Sequence, residues 1–165
     1  MTTRAKMLIA GTLGAIWALG VVWVGATVLN VPIYALTTTL YTAFLAPGLV
    51  MALMVFWIAV RRFLNPDLSH GAEPVSGSAA AIDQSVLRNT VEQLVLALAL
   101  WPAIGFWAAD DGPGLLLALS LSFALMRLVY WAGYRISPPL RMFGWSATFY
   151  ATLFALAWSV AVWVV

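Results

Sequence analysis

At 165 residues, 64% of them apolar and only 8% charged, the chain departs from soluble domains, where the apolar share is about 45–50% and the charged share about 25%. Eight Lys/Arg against six Asp/Glu give a formal charge of only +2, so no basic surface for nucleic acid is on offer. Cysteine is absent, which excludes structural disulfides, thiolate metal sites, palmitoylation and a protein-borne thiol nucleophile. The composition is that of an integral, multi-pass membrane protein.

A hydrocarbon core about 30 Å thick needs about 20 apolar residues per spanning helix. Met7–Leu29 supplies a first span with no charge. Arg4 and Lys6 before it and Val24-Gly25-Ala26 near its end also resemble a signal peptide, but the run is long enough to span. Val31–Val60 is uncharged and holds Pro32, Thr37-Thr38-Thr39 and Pro47; its later part, Tyr41–Phe63, is expected to be a helix bent near Pro47. Asn65–Ser85, rich in Pro, Gly, Ser and Ala, reads as a solvated loop. His70 lies there with Asp67 and Glu73, without a recognised metal-ligand spacing, so no metal site is expected. Val86–Trp107, Leu115–Tyr134 and Met142–Val165 complete the spans. They are separated by a tight acidic turn at Ala109–Gly114 and a proline-containing connection at Arg135–Arg141.

With five spans and a cytoplasmic N-terminus, all eight basic residues fall in cytoplasmic segments or in the membrane halves nearest them, as the positive-inside rule requires. The compact chain suggests a bacterial inner membrane. Trp23, Trp107 and Trp163 then stand near the outer interface, and Trp57, Trp131 and Trp145 near the inner one.

Intramembrane ionisable groups are the default place to look for function. Arg88 and Glu92 lie at i and i+4 on the third span with Asn89 beside them, so the pair is expected to neutralise itself along the helix. Arg127, Tyr130 and Tyr134 share one stripe of the fourth span, and Arg141 opens the fifth. With the remaining acids assigned to loops, Arg127 and Arg141 stay uncompensated. Such guanidiniums favour a small anionic ligand between helices in the inner half of the membrane, since the planar fork suits carboxylates. The bland alternatives are a polar clamp for Arg88, Asn89 and Glu92, snorkelling for Arg127 with the tyrosines in an interface belt, and orientation charges for Arg61, Arg62, Arg135 and Arg141. Against them, belt or snorkelling residues need not share a stripe with an arginine. Transport is disfavoured because the outer halves of the spans carry no ionisable residue.

Arg88-Asn89-Thr90-Val91-Glu92, continued by Gln93-Leu94-Val95-Leu96, resembles the second-helix signature of the MAPEG family, the membrane-associated proteins of eicosanoid and glutathione metabolism. Arg127-x-x-Tyr130-x-x-x-Tyr134 with Arg141 seven residues on resembles the leukotriene synthase branch, and Arg61-Arg62 closing a span before a proline-containing loop matches the family's first helix. The resemblance implies an all-α, four-helix MAPEG-like transmembrane domain over 41–165. Residues 1–40 form an extra N-terminal helix and its connection.

It further implies a homotrimer binding glutathione as cosubstrate between subunits, on the cytoplasmic side. Arg88, Asn89, Glu92, Arg127, Tyr130 and Tyr134 would hold the tripeptide, Arg62 would lie nearer the thiol or the hydrophobic substrate, and Arg141 would activate the thiol. The implied function is a glutathione-dependent transferase or peroxidase acting on a hydrophobic electrophile or lipid hydroperoxide. The alternative is a non-catalytic scaffold that binds a lipid or thiol ligand for a partner protein. Three departures stand out: Ser85 replaces an arginine present in several members, Gln93 replaces a tyrosine, and Met7–Leu29 is additional to the four-helix unit.

Overall fold

The structure, a computed structural model, describes residues 2–69 and 73–164. His70 and the side chain of Asp67 fall outside the described set. The described secondary structure is all helical: α1 (Thr3–Trp23), α2 (Leu36–Ala43), α3 (Leu45–Leu64), α4 (Pro66–Ser69), α5 (Ala79–Trp107), α6 (Gly112–Ile136) and α7 (Pro138–Val164). Five stretches are long and apolar enough to cross a membrane: Thr3–Val28, Ile33–Leu64, Ala79–Trp107, Ala109–Ile136 and Pro138–Val164.

The second span breaks earlier than Pro47 alone predicts. α2 ends at Ala43, and α3 begins at Leu45 with Pro47 in its first turn. Proline has no N–H to return to the carbonyl four residues back, so the interruption falls one turn ahead of the ring. A larger difference concerns the long loop. α5 starts at Ala79, because the Ser78 hydroxyl accepts from the Ala81 N–H at 3.2 Å and Ala79-Ala80-Ala81 are strong helix formers. Ala79–Ser85 is therefore helix, and Asp83 is carried into the bundle.

The connection between α6 and α7 shrinks to Ser137 alone, in extended conformation. Pro138 and Pro139 open α7 where the absent N–H groups cost nothing, and the Ser137 hydroxyl accepts from the Leu140 N–H at 3.4 Å. At the opposite end the turn before α6 carries Ala109 at φ 49°. Its Asp111 accepts from Trp158 Nε1 at 3.0 Å.

In a membrane, helices associate through close packing of small residues rather than through hydrophobic expulsion. Gly14 of α1 lies against Ser146 and Ala147 of α7, so the additional first helix is seated along the last one. Gly144 of α7 meets the backbone of α6: a methyl group there would lie 2.6 Å from the Tyr130 nitrogen and 2.9 Å from the Met126 carbonyl oxygen. Deeper in, Trp101 is fully buried, stacked by Phe44 and edge-on to Phe123, and donates to Thr152 Oγ1 at 3.2 Å. The start of α1, the end of α3, the start of α5, the end of α6 and the start of α7 share one end of the bundle, and all eight basic residues lie toward that end.

Candidate functional site

Arg127 sits in α6 with no solvent-accessible surface. It does not snorkel. Its Nε and Nη2 donate to Thr148 Oγ1 at 3.2 and 3.0 Å, Nη2 also to the Gly144 carbonyl at 3.1 Å, and Nη1 to Asn89 Oδ1 at 2.9 Å. The Tyr130 ring lies 4.5 Å from the guanidinium carbon. A buried cation is tolerated only when its donors are satisfied and a counter-charge is near. Here the counter-charge arrives through an amide: Asn89 Nδ2 donates to Glu92 Oε2 at 3.1 Å while Asn89 Oδ1 accepts from Arg127. The Asn three residues before the Glu thus passes polarisation from carboxylate to guanidinium.

The same stripe of α6 extends the network. Tyr130 is buried and its hydroxyl lies 3.4 Å from that of Tyr134, the two rings meeting edge to face. The Arg141 guanidinium stands over the Tyr134 ring at 4.7 Å. This contact depends on the single-residue corner at Ser137, which returns α7 beside the end of α6. Glu92, Asn89, Arg127, Tyr130, Tyr134 and Arg141 therefore form one connected chain of polar and aromatic contacts through three helices.

Arg62 and Arg88 lie apart from that chain. With Gln84 and Glu92 they line an open groove of about 450 Å³ between α3 and α5. The expected Arg88–Glu92 pair along the helix does not form: Glu92 is engaged by Asn89, and among the described residues no acid lies within 4 Å of Arg88. Glu92 is the residue common to the groove and the network.

The residue that sequence reasoning missed is Asp83. It is 2% exposed, and its carboxylate takes four partners: Arg61 Nε at 2.6 Å and Trp57 Nε1 at 3.1 Å on Oδ2, Arg135 Nη2 at 2.7 Å and Trp131 Nε1 at 2.9 Å on Oδ1. Assigning Asp83 to a solvated loop was wrong because the Ser78 cap and the alanine run start the helix before it. Those two signals were present in the sequence. Arg61 and Arg135 are consequently ion-paired to a buried acid.

Residues 38–161 match the model of the MAPEG family. No curated protein and no solved structure shows significant similarity to the chain.

Proposed function

The chain belongs to the MAPEG family, and from that premise we propose that it is a membrane transferase or peroxidase that activates the thiol of glutathione. The thiolate would attack a hydrophobic electrophile or reduce a lipid hydroperoxide. The observation that carries this reading is the connected chain from Glu92 through Asn89, Arg127, Tyr130 and Tyr134 to Arg141. It offers an acceptor for an ammonium group and, at its far end, a cation beside an aromatic ring, while donors for carboxylates stand in the adjoining groove on Arg62 and Arg88.

Each residue has a task under this proposal. Glu92 meets the amino end of the tripeptide. Arg88 and Arg62, without an acid partner among the described residues, meet its carboxylates from the groove. Arg127 does not reach out for the ligand, because Asn89, Thr148 and Gly144 already take its donors. It holds Asn89, and through it Glu92, in position. Arg141 faces the thiol. A thiol with a pKa of about 8.5 is only a few per cent ionised at neutral pH, and a close cation lowers an acid's pKa by about one to three units. One arginine therefore suffices to make the thiolate the main form.

The groove bearing Arg62 and Arg88 is open in the single chain, and the outward face of α5 beyond it exposes Val91, Val95, Leu98 and Phe106. We take this face to be covered by a second copy in a homotrimer, so that the ligand is enclosed between subunits. On the positive-inside rule the site faces the cytoplasm.

The test is the ultraviolet absorbance of thiolate in detergent-purified protein at neutral pH as glutathione is added. The expected signal grows with protein concentration and is lost in Arg141→Leu, which still binds glutathione within about tenfold of the parent, a change of about 1.4 kcal/mol. Binding without a thiolate signal in the parent would make the protein a non-catalytic thiol-binding relative. No binding at millimolar glutathione would overturn the proposal.

A further inference from the structure

The Asp83 cluster has a charge balance that helix clamping does not require. One carboxylate is shared by two guanidiniums, which leaves a net charge of +1 in one place. A carboxylate offers about four lone-pair sites; Arg135 and the two indoles donate hydrogen bonds to three of them, and Arg61 Nε stands against Oδ2 as an ion-pair contact without hydrogen-bond geometry. Asp83 engages Nε of Arg61 and Nη2 of Arg135, so each guanidinium, with five N–H donors, retains others. The Arg135 side chain is 43% exposed and that of Arg61 30%, against 1% for Asp83. The acid is inside and the cations are at the surface.

Position and shape narrow what such a cation pair meets. Arg61 is three residues from the end of α3 and Arg135 one from the end of α6, so both stand where spans leave the hydrocarbon. Trp57 and Trp131, the indoles that hold Asp83, are the residue type enriched at that depth. Trp57 separates two depressions. One, of about 420 Å³, runs from Arg135 past Trp131 and Ala132 to Leu128, toward the membrane interior. The other, of about 540 Å³, has Arg61 at its edge and includes Asn65 and Ser78 at the mouth of the loop. An apolar trough on the hydrocarbon side, a recess on the loop side that adds Asn65 and Ser78 to a largely apolar lining, and guanidiniums between them match an amphiphile with an anionic head. Phosphate oxygens suit a guanidinium fork, and basic pockets between transmembrane helices are favoured seats for anionic headgroups.

We propose that Arg61 and Arg135, held apart by Asp83 and flanked by Trp57 and Trp131, bind the phosphodiester of an anionic phospholipid from the surrounding leaflet, with one acyl chain along Leu128 and Ala132. The site is separate from the network of Arg127 and Arg141 and does not depend on the chemistry assigned there.

Native mass spectrometry of the full chain, after exchange into equal amounts of phosphatidylglycerol and phosphatidylcholine, tests it. The parent is expected to retain phosphatidylglycerol preferentially. Arg135→Gln should reduce that preference about fivefold, the worth of one basic residue near an anionic surface, whereas Arg4→Gln, a surface charge elsewhere, should leave it unchanged. Ala132→Trp keeps the charges and fills the trough, and should lower retention of phosphatidylglycerol while leaving the Asp83 contacts intact; it decides the matter if Arg135→Gln does not fold. Equal retention of both lipids by the parent overturns the proposal, as does an unchanged preference in folded Arg135→Gln or unchanged retention in Ala132→Trp. Displacement of the lipid by millimolar inorganic phosphate would assign the site to a soluble anion and overturn it too.

Discussion

Arg127 shows how a full charge is accommodated without solvent exposure and, among the described residues, without a direct ion pair. Three acceptors from α5 and α7 surround it, and the Asn89 amide relays the Glu92 carboxylate to it. Thr148→Val is nearly isosteric but removes the oxygen that receives both Nε and Nη2, and an orphaned charged donor costs about 1–3 kcal/mol. We expect a lower melting temperature in detergent and, under the proposed function, weaker glutathione binding, since Arg127, which holds Asn89, loses the acceptor on its other side. Glu92→Gln keeps the Asn89 bond but removes the negative charge. It should preserve thermal stability better than Thr148→Val while weakening ligand binding more, as calorimetry on the two variants would show. At the other cluster, Asp83→Ala strands two indoles and two guanidiniums. The guanidiniums can turn to water, but the two indole N–H groups lose their acceptor, at about 1–3 kcal/mol for each one left unsatisfied, so we expect a lowered melting temperature in a thermal-denaturation series.

At the scale of elements, the α6–α7 pair is set by glycine. A methyl group at Gly144 would meet the Tyr130 nitrogen at 2.6 Å and the Tyr130 Cα at 2.8 Å, both rigid backbone. Gly144→Ala therefore forces the helices apart, with a cost of about 1–3 kcal/mol, and moves Arg127 off the Gly144 carbonyl. Gly48→Ala, where nothing lies within 4 Å, should be neutral or stabilising by about 0.5–1 kcal/mol. Measured together, the two melting temperatures separate crowding from helix propensity. The element scale also shows what was legible in the sequence. Five long apolar runs announced the spans, and the i, i+3, i+7 spacing from Arg127 placed both tyrosines on its stripe. Two things were not legible. Helix starts at Ala79 and Pro138 depend on serine caps whose side chains also occur freely in loops, so the loops were drawn too long and Asp83 was lost from the bundle. The choice of Asn89 rather than Arg88 as the partner of Glu92 is made by Arg127, thirty-eight residues away, and no local pattern encodes it.

For the whole molecule, the distribution of charge matters more than its amount. All basic residues lie toward one end of the bundle, and four of the cations at that end are tied by different devices: an amide relay for Arg127, a shared carboxylate for Arg61 and Arg135, an aromatic ring for Arg141. Arg62 and Arg88 face outward instead. If a second copy covers them, Leu98→Arg, on the exposed face of α5 at 52% exposure, should dissociate the assembly without touching a residue of the network. Light scattering of the variant in detergent should report a single chain, and thiolate absorbance should fall with it. Full thiolate signal from a monomer would separate the chemistry from the assembly.

The one-residue corner at Ser137 bears on how such a site is entered. Closing lids need slack, and a helix junction of one extended residue followed by two prolines has almost none. Tyr134 and Arg141 are thus held in a fixed relation to one another rather than carried on a door. Under the proposed function, supply is then governed by what the bilayer delivers: a compound that partitions strongly into lipid reaches Arg141 at high local concentration, whatever its concentration in water. Apparent affinities for apolar substrates should accordingly follow their membrane partitioning and shift with the lipid-to-protein ratio, while that of a water-borne cosubstrate stays constant.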